Sequence, residues 1–494
     1  MEDITPNAIP GSERDERLKK LAVIKEKGLD PYPAKSCRNI SVSEVLSDFS
    51  ELNRTQKEFV VAGRLRTLRA HGNLTFAHLQ DGKDQIQIAI SRKEVGDGTY
   101  KLFTKLIDMG DFVEFRGVCF LTHKGENSVM AHEWTLLTKA LRPLPEKWHG
   151  LSDGEEKLRR RYLDIMLNRE VYEMIEKRSK FWQATRNFLN DHGFLEVETP
   201  VLETMTGGAD AKPFLTHHNA LDIDVYLRIS MGELWQKKLM VAGFPKTFEI
   251  GRQFRNEGMD AEHLQDYSQM EFYWAYANYE QGMELTKELY KYIAQEAFGT
   301  MKFTIKGFEV DLSQKWERYD YMETVQKFTS IDVLHTNETE IIAKLKELGV
   351  KYDEKGFNIT RAIDNLWKYC RKQIAGPGFL INPPVAISPL AKRNETNPQI
   401  TQRFQVILAG SELGNGYSEL NDPIDQEGRF MEQQKLREAG DDEAQMHDHD
   451  FVEALEYGMP PTCGFGFSER LFSFLMNKTS RECQIFPLMK PKNE

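Results

Sequence analysis

The apolar positions change period along this chain, and the changes divide it. In residues 12–28, Leu18, Leu21, Val23 and Ile24 recur at helical spacing against Lys19, Lys20, Lys25 and Lys27, which predicts an amphipathic helix ended by Gly28 and Pro31. Its polar face is basic. From Phe59 to Thr138 the period drops to two. Residues 59–67, 74–79, 85–90, 111–120 and 128–136 are rich in β-branched and aromatic side chains and are parted by turns at Gly72, Asp81-Gly82 and Lys124-Gly125. Five short strands predict a small barrel. Residues 170–190 return to helical spacing with Val171, Met174, Ile175, Phe181, Trp182, Phe188 and Leu189, then stop at Asp191-His192-Gly193. A strand over 194–199 follows and runs into Pro200. Strands dominate the remainder without regular crossover helices, while 340–348 and 363–374 read as helices of an insertion before the sheet resumes near Phe404. That order favours an antiparallel sheet with flanking helices over a doubly wound fold.

These patterns give an N-terminal helical extension (1–56), a barrel domain (57–140), a linker with Pro143 and Pro145 (141–156), and a large second domain (157–494) with a helical insertion at about 310–385. The chain carries 65 Lys+Arg against 76 Asp+Glu, a net charge of -11, so binding to a polyanion would rest on local patches. Two such patches are legible: Arg64, Arg66 and Arg69 beside Phe76 and His78 in the barrel, and the run Lys157-Leu-Arg-Arg-Arg-Tyr162. An exposed Phe76 would be a platform for a base; the pattern equally allows it in the barrel core. No stretch reaches the ~20 apolar residues of a membrane span. The acidic start, with Glu2, Asp3 and Glu13, lacks a signal core, and the five cysteines form no C-x-x-C pair, so a cytoplasmic, reducing location is expected. Neither a Walker A loop nor an early G-x-G-x-x-G is present, so any nucleotide site is built differently.

Candidate chemistry concentrates in two segments. In F-E-I-G-R-Q-F-R-N-E-G (from Phe248) and S-Q-M-E-F-Y-W-A-Y (to Tyr276), two strands flank a polar loop. Alternation puts Gln269, Glu271 and Tyr273 on one face and Met270, Phe272 and Trp274 on the other. A polar stripe turned inward is costly unless it meets a ligand. Arg255 and Glu257 at the loop entrance suit an anion and an amine or amide. Near the end, C-G-F-G-F-S reads as a strand from Cys463, followed by a helix with Arg470 in its first turn, a place suited to phosphate. Met446-His447-Asp448-His449-Asp450 has metal-binding residue types, but in a charged stretch read as helical a solvated surface is favoured; His217-His218 is read likewise.

Together, F-R-N-E in a hairpin, G-x-G before an E-R-L helix and F-L-E-V-E-T-P after a long helix resemble motifs two, three and one of class II aminoacyl-tRNA synthetases. Within them the chain is most similar to the lysyl-tRNA synthetases. That similarity extends through D-P-Y-P at Asp30, R-R-Y-L-D at Arg160, P-F-L-T-H-H-N-A at Pro213, Y-L-R-I-S at Tyr226, G-N-G-Y-S-E-L-N-D-P at Gly414 and A-L-E-Y-G-M-P-P-T at Ala454.

The resemblance implies an α+β fold, an N-terminal OB-fold barrel followed by a class II antiparallel sheet domain flanked by helices. It also implies a homodimer joined through residues 193–202. The implied reaction is ATP-dependent: L-lysine becomes lysyl-adenylate with release of pyrophosphate, and passes to tRNA(Lys). Arg255 and Arg470 are then the catalytic residues, at the α-phosphate and the γ-phosphate. ATP is further met by Glu257 near the adenine amino group, His263 near the phosphates, and Tyr267 or Phe465 against the purine. Mg²⁺ falls to Glu412, with the neutral Gln405 standing where relatives usually carry a second acid. Lysine is met by Glu233 at its α-amine, Glu419 at its ε-amine, and Arg255, Glu271, Tyr273, Asn415 and Tyr417 around them. In the barrel, Arg66, Phe76 and Gln87 face the anticodon. Motif three is one residue shorter than the family pattern, which leaves the register of Phe465 open. The alternatives are an RNA-binding or signalling paralogue without catalysis, or a synthetase of other specificity; an acidic substrate would call for basic residues where Glu419 and Tyr273 stand.

Overall fold

Ser12 starts the first helix by a reciprocal cap. Its hydroxyl accepts the Asp15 N–H and its own N–H donates to Asp15 Oδ2, each at 3.3 Å, so α1 (Glu13–Glu26) begins where the pattern puts it. This computed structural model describes residues 12–145, 153–209, 211–258, 260–352, 357–441 and 444–492. Most of the acidic start (1–11) and the middle of the expected linker (146–152) lie outside the described residues. The chain divides into two units, Met1–Tyr172 and Glu173–Glu494.

In the first unit, β1 (Phe59–His71), β2 (Leu74–Asp81), β3 (Asp84–Ser91), β4 (Phe112–Leu121) and β5 (Asn127–Thr138) close into a barrel in the order β1-β2-β3-β5-β4. Period two assigns the sides: Thr75, Ala77 and Leu79 of β2 are buried, whereas Phe76 and His78 alternate with them on the outer face, half-buried. The core reading of Phe76 is therefore set aside. A helix the strand pattern does not show, α2 (Asp97–Leu106), fills the β3–β4 crossover. Its Tyr100, Phe103 and Leu106 recur every third residue and join the barrel core.

The second unit is built on eight strands in the order β9-β10-β11-β12-β13-β8-β7-β6. These are β6 (Leu195–Glu196), β7 (Lys246–Phe254), β8 (Asp266–Ala275), β9 (Glu317–Asp320), β10 (Gly378–Ile381), β11 (Arg403–Leu408), β12 (Ser411–Ser418) and β13 (Thr462–Ser468). The middle is antiparallel, as expected; the edge pairs β6/β7 and β9/β10 are parallel. The strand expected over 194–199 shrinks to Leu195–Glu196, because Thr199 gives its N–H and hydroxyl to Glu249 Oε2 at 3.1 and 2.7 Å instead of to a ladder. Helices α3 (Arg169–Asp191), α4 (Glu233–Val241) and α5 (Tyr279–Ile293) precede or follow the strands that form the central hairpin. Between β9 and β10, α6 (Ile359–Arg371) and two further helices, Tyr321–Thr329 and Glu338–Glu347, occupy the expected insertion. They are held by Ile341, Leu345, Leu366, Trp367 and Cys370. After β12 come α7 (Pro423–Glu438) and α8 (His449–Glu456), and after β13 the short α9 (Arg470–Leu475).

Candidate active site

The central strands are apolar on one face and polar on the other, as alternation predicts. Met270 and Phe272 of β8 and Phe467 of β13 are buried in an aromatic layer with Phe181 of α3 and Tyr290 of α5. The opposite face lines a cavity of about 790 Å³. Register forms two rows across β12, β13 and β8: Asn415, Gly466 and Glu271 in one, Tyr417, Gly464 and Tyr273 in the next. The middle strand has to be bare. A Cβ on Gly464 would stand 2.2 Å from Glu419 Oε1 and one on Gly466 2.6 Å from Glu271 Cγ, so the two glycines make room for the acids beside them.

Three carboxylates converge at one end of the cavity, Glu233, Glu271 and Glu419, and all are buried. Glu233 opens α4 after Gly232, whose φ of 65° suits glycine and whose missing side chain admits Thr199. Glu271 Oε1 accepts the Met231 N–H at 2.9 Å and Oε2 accepts the Tyr273 hydroxyl at 3.0 Å; the Tyr417 hydroxyl donates to Glu233. A residue absent from the sequence-based set joins them: Lys237 of α4 places Nζ 2.6 Å from Glu233 Oε1 and 2.6 Å from Glu419 Oε2. Its one legible signal is the i, i+4 spacing from Glu233. Burial works against the Lys237 charge, but Glu233 and Glu419 outweigh it and hold its pKa above the usual value. Desolvation pushes Glu271 and Glu419 above the ordinary carboxylate range, with Glu233 raising both further. Glu419 Oε1 has no hydrogen-bond partner among the described residues.

The other end of the cavity holds the arginines. Arg255 donates from Nε to the Ile229 carbonyl at 3.3 Å, lies 5.9 Å from the Tyr267 ring centre, and pairs with no carboxylate among the described residues. Arg470 lines the same cavity, donates to the Glu412 carbonyl at 3.2 Å and forms an ion pair with Glu262; its buried Nε has no partner among the described residues. Glu262, which also pairs with Lys306, was not singled out from sequence because nothing local ties residue 262 to residue 470. Its neighbour His263 is exposed and bonded to Asp260 at 2.8 Å, and Glu257 accepts the Lys212 N–H at 3.3 Å. The Glu412 carboxylate takes the Trp367 indole N–H on one oxygen and the Gln405 amide on the other at 3.1 Å, with Arg371 Nε at 3.9 Å.

Of the second-domain residues singled out from sequence, Glu233, Arg255, Glu257, His263, Tyr267, Glu271, Tyr273, Gln405, Glu412, Asn415, Tyr417, Glu419 and Arg470 thus line one cavity. For Phe465 the expectation needs correction. Its ring is 2% exposed and stacks on Phe404 at 5.6 Å with 1° between the planes, on the face opposite the cavity, because Gly464 and Gly466 hold the cavity positions of β13. Tyr267 lies on the cavity face of β8.

In the barrel, Phe76 pairs with Arg69 and the buried Ala89, and His78 with Thr67 and Gln87. Gln87 donates to Glu126 at 2.7 Å and accepts the Ser128 hydroxyl at 3.0 Å. Arg66 sits at a bulge in β1 with Nη1 buried and without a partner among the described residues, and burial lowers its pKa. The His447 region departs from the solvated helix expected there. Helix α8 begins only at His449, and the His447 side chain is 16% exposed, beside Phe430. His217 stays exposed, 3.0 Å from Asp224.

Residues 153–490 match the family model of tRNA synthetases class II (D, K and N), and residues 59–137 match that of the OB-fold nucleic acid binding domain. The chain is 44% identical over 484 residues to a lysine–tRNA ligase of Pelotomaculum thermopropionicum, covering 96% of this chain and 94% of that protein. It is 42% identical over 485 residues to a lysine–tRNA ligase of Thermotoga maritima, covering 97% and 96%. A lysine–tRNA ligase of Moorella thermoacetica is 45% identical over 483 residues, covering 97% and 98%.

Proposed function

Since the chain belongs to the class II tRNA synthetases (D, K and N), with an N-terminal OB-fold domain, we propose that it is an ATP-dependent lysine–tRNA ligase. The observation that carries the choice of amino acid is a charge count. When ionised, Glu233, Glu271 and Glu419 bring three negative charges into a buried pocket and Lys237 returns one positive, leaving two to be matched by a ligand. Lysine carries two ammonium groups. The unpartnered Glu419 Oε1 is an acceptor for the ε-ammonium, and Glu233 for the α-ammonium, with Asn415 and Tyr417 beside them. An uncharged analogue would leave a buried acid unpaired, and sites that read polar groups discriminate by roughly 10⁴-fold or more.

Arg255 holds the lysine carboxylate against the α-phosphate, so the carboxylate oxygen bonds to phosphorus as the bond to pyrophosphate breaks. Positioning and charge stabilisation do the chemistry. Arg470 receives the γ-phosphate once its ion pair with Glu262 is exchanged, and Tyr267 flanks the purine. The terminal tRNA ribose hydroxyl then attacks the mixed anhydride and AMP leaves. Glu412, whose carboxylate takes the Gln405 amide N–H at 3.1 Å, would hold Mg²⁺ through one carboxylate, because this ion keeps most of its ligands as phosphate and water oxygens; bound there, it would neutralise phosphate charge. The anticodon meets Phe76, Arg66 and Gln87 on the barrel. Leu195, Leu202, Leu215, Leu221 and Ile223 leave apolar side chains exposed around motif one, which supports a homodimer through that surface. The five free cysteines suit a cytoplasmic setting.

Amino acid-dependent ATP–pyrophosphate exchange in the presence of Mg²⁺ tests the reading. Exchange with lysine well above every other amino acid is expected; a folded preparation without lysine-dependent exchange rejects it.

A further inference from the structure

Glu427, His447 and His449 bring one carboxylate oxygen and two ring nitrogens within 4.8 Å of one another. Glu427 sits on α7, His447 in the connection that follows and His449 in the first turn of α8. Glu427 Oε2 is 2.8 Å from His447 Nε2, and the two imidazole centres are 3.9 Å apart. A hydrogen bond to Glu427 accounts for His447 alone; it gives no reason for a second imidazole drawn against the first. The neighbouring Asp448 is already committed, since its carboxylate accepts the Phe451 N–H at 2.9 Å as the cap of α8. None of the three residues lines the cavity described above.

Two imidazole nitrogens and a carboxylate oxygen form a donor set for a borderline divalent ion. Tetrahedral bonds of about 2.0–2.2 Å separate such ligand atoms by roughly 3.3–3.5 Å, so the present spread closes with movements of about an ångström or less. We propose that Glu427, His447 and His449 bind one zinc-class ion, with water as fourth ligand, clamping the start of α8 to α7. The clamp acts behind the pocket. Phe451 and Leu455 of α8 pack in the same apolar cluster as Leu234 and Met240 of α4, the helix that carries Glu233 and Lys237, and Gln445 in the connection lines the cavity wall.

The test uses the full chain, stripped with a chelator, dialysed against ZnCl₂ and assayed for retained metal. About one equivalent per chain is expected, falling to background in the His447→Ala/His449→Ala double variant and weakening about tenfold or more in Glu427→Gln. Cobalt(II) should give the intense visible absorption of a four-coordinate site in the wild type and only weak absorption in the double variant. Wild-type chain that retains no more zinc than the double variant overturns the proposal. Should the double variant fold poorly, His449→Ala, at an exposed position, replaces it: loss of zinc supports the site, and undiminished zinc overturns it.

Discussion

Lys237 Nζ stands 2.6 Å from Glu419 Oε2, with both side chains 1% exposed. Removing one partner of a buried pair leaves the other charge uncompensated, at a cost of about 3–5 kcal/mol. Lys237→Met should therefore lower the Tm of the ligand-free protein by several degrees. Added lysine should restore more of the loss than added ATP, since its ammonium groups resupply the missing charge. Thermal denaturation with each ligand checks this; an unchanged Tm without ligand would refute the ion pair's structural role.

Glu419→Gln keeps the shape of the pocket and removes one charge. A hydrogen bond to a charged group contributes about 1.5–3 kcal/mol, so the lysine KM should rise roughly 10- to 100-fold while the ATP KM changes little. Steady-state exchange kinetics separate the two. Equal effects on both substrates would contradict the assignment.

The pH dependence of lysine binding follows from the same acids. Burial raises the pKa of Glu271 and Glu419 above the ordinary carboxyl value of 4.5, so at low pH the empty pocket holds protons that the ammonium groups must displace. Affinity for lysine should thus increase as pH rises through the raised pKa values and level off once both acids are ionised. A lysine KM that stays flat between about pH 5.5 and 8.5, with ATP saturating, would exclude this linkage.

Glu203 supplies a stability prediction. Burial pushes its carboxyl from 4.5 up to about 7, although the Trp235 indole N–H donates to it at 3.0 Å. The folded state binds this proton more tightly than the unfolded state, so the group's contribution is present below pH 4.5 and is lost as pH rises towards about 7. At about 1.4 kcal/mol per pH unit the loss is on the order of 3 kcal/mol. Glu203→Gln should melt at a higher temperature than the wild type at pH 8 and near it at pH 4.5; the same difference at both pH values would defeat the argument.

Much of the site was legible along the chain. Alternation on one strand dictates which side chains share a face, so Gln269, Glu271 and Tyr273 separate from Met270 and Phe272 before any packing is known. The same rule applied to Gly464 and Gly466 carries the signal that Phe465 points away from them. The register of Phe465 stayed open along the chain because motif three is one residue shorter than the family pattern, and period two turns such a shift into a change of face.

By itself the sequence determined the barrel, the long helix, the central hairpin and the residue types of the pocket, because each follows from periodicity or spacing within a few residues. Only the tertiary structure decided that Lys237 bridges Glu233 and Glu419, that Glu262 clasps Arg470, and that His447 and His449 close on Glu427. Residues 262 and 470, or 237 and 419, share no local period. Their ionic contacts arise when helices and loops are packed so that these side chains are buried, where a charge has to find its partner across the fold.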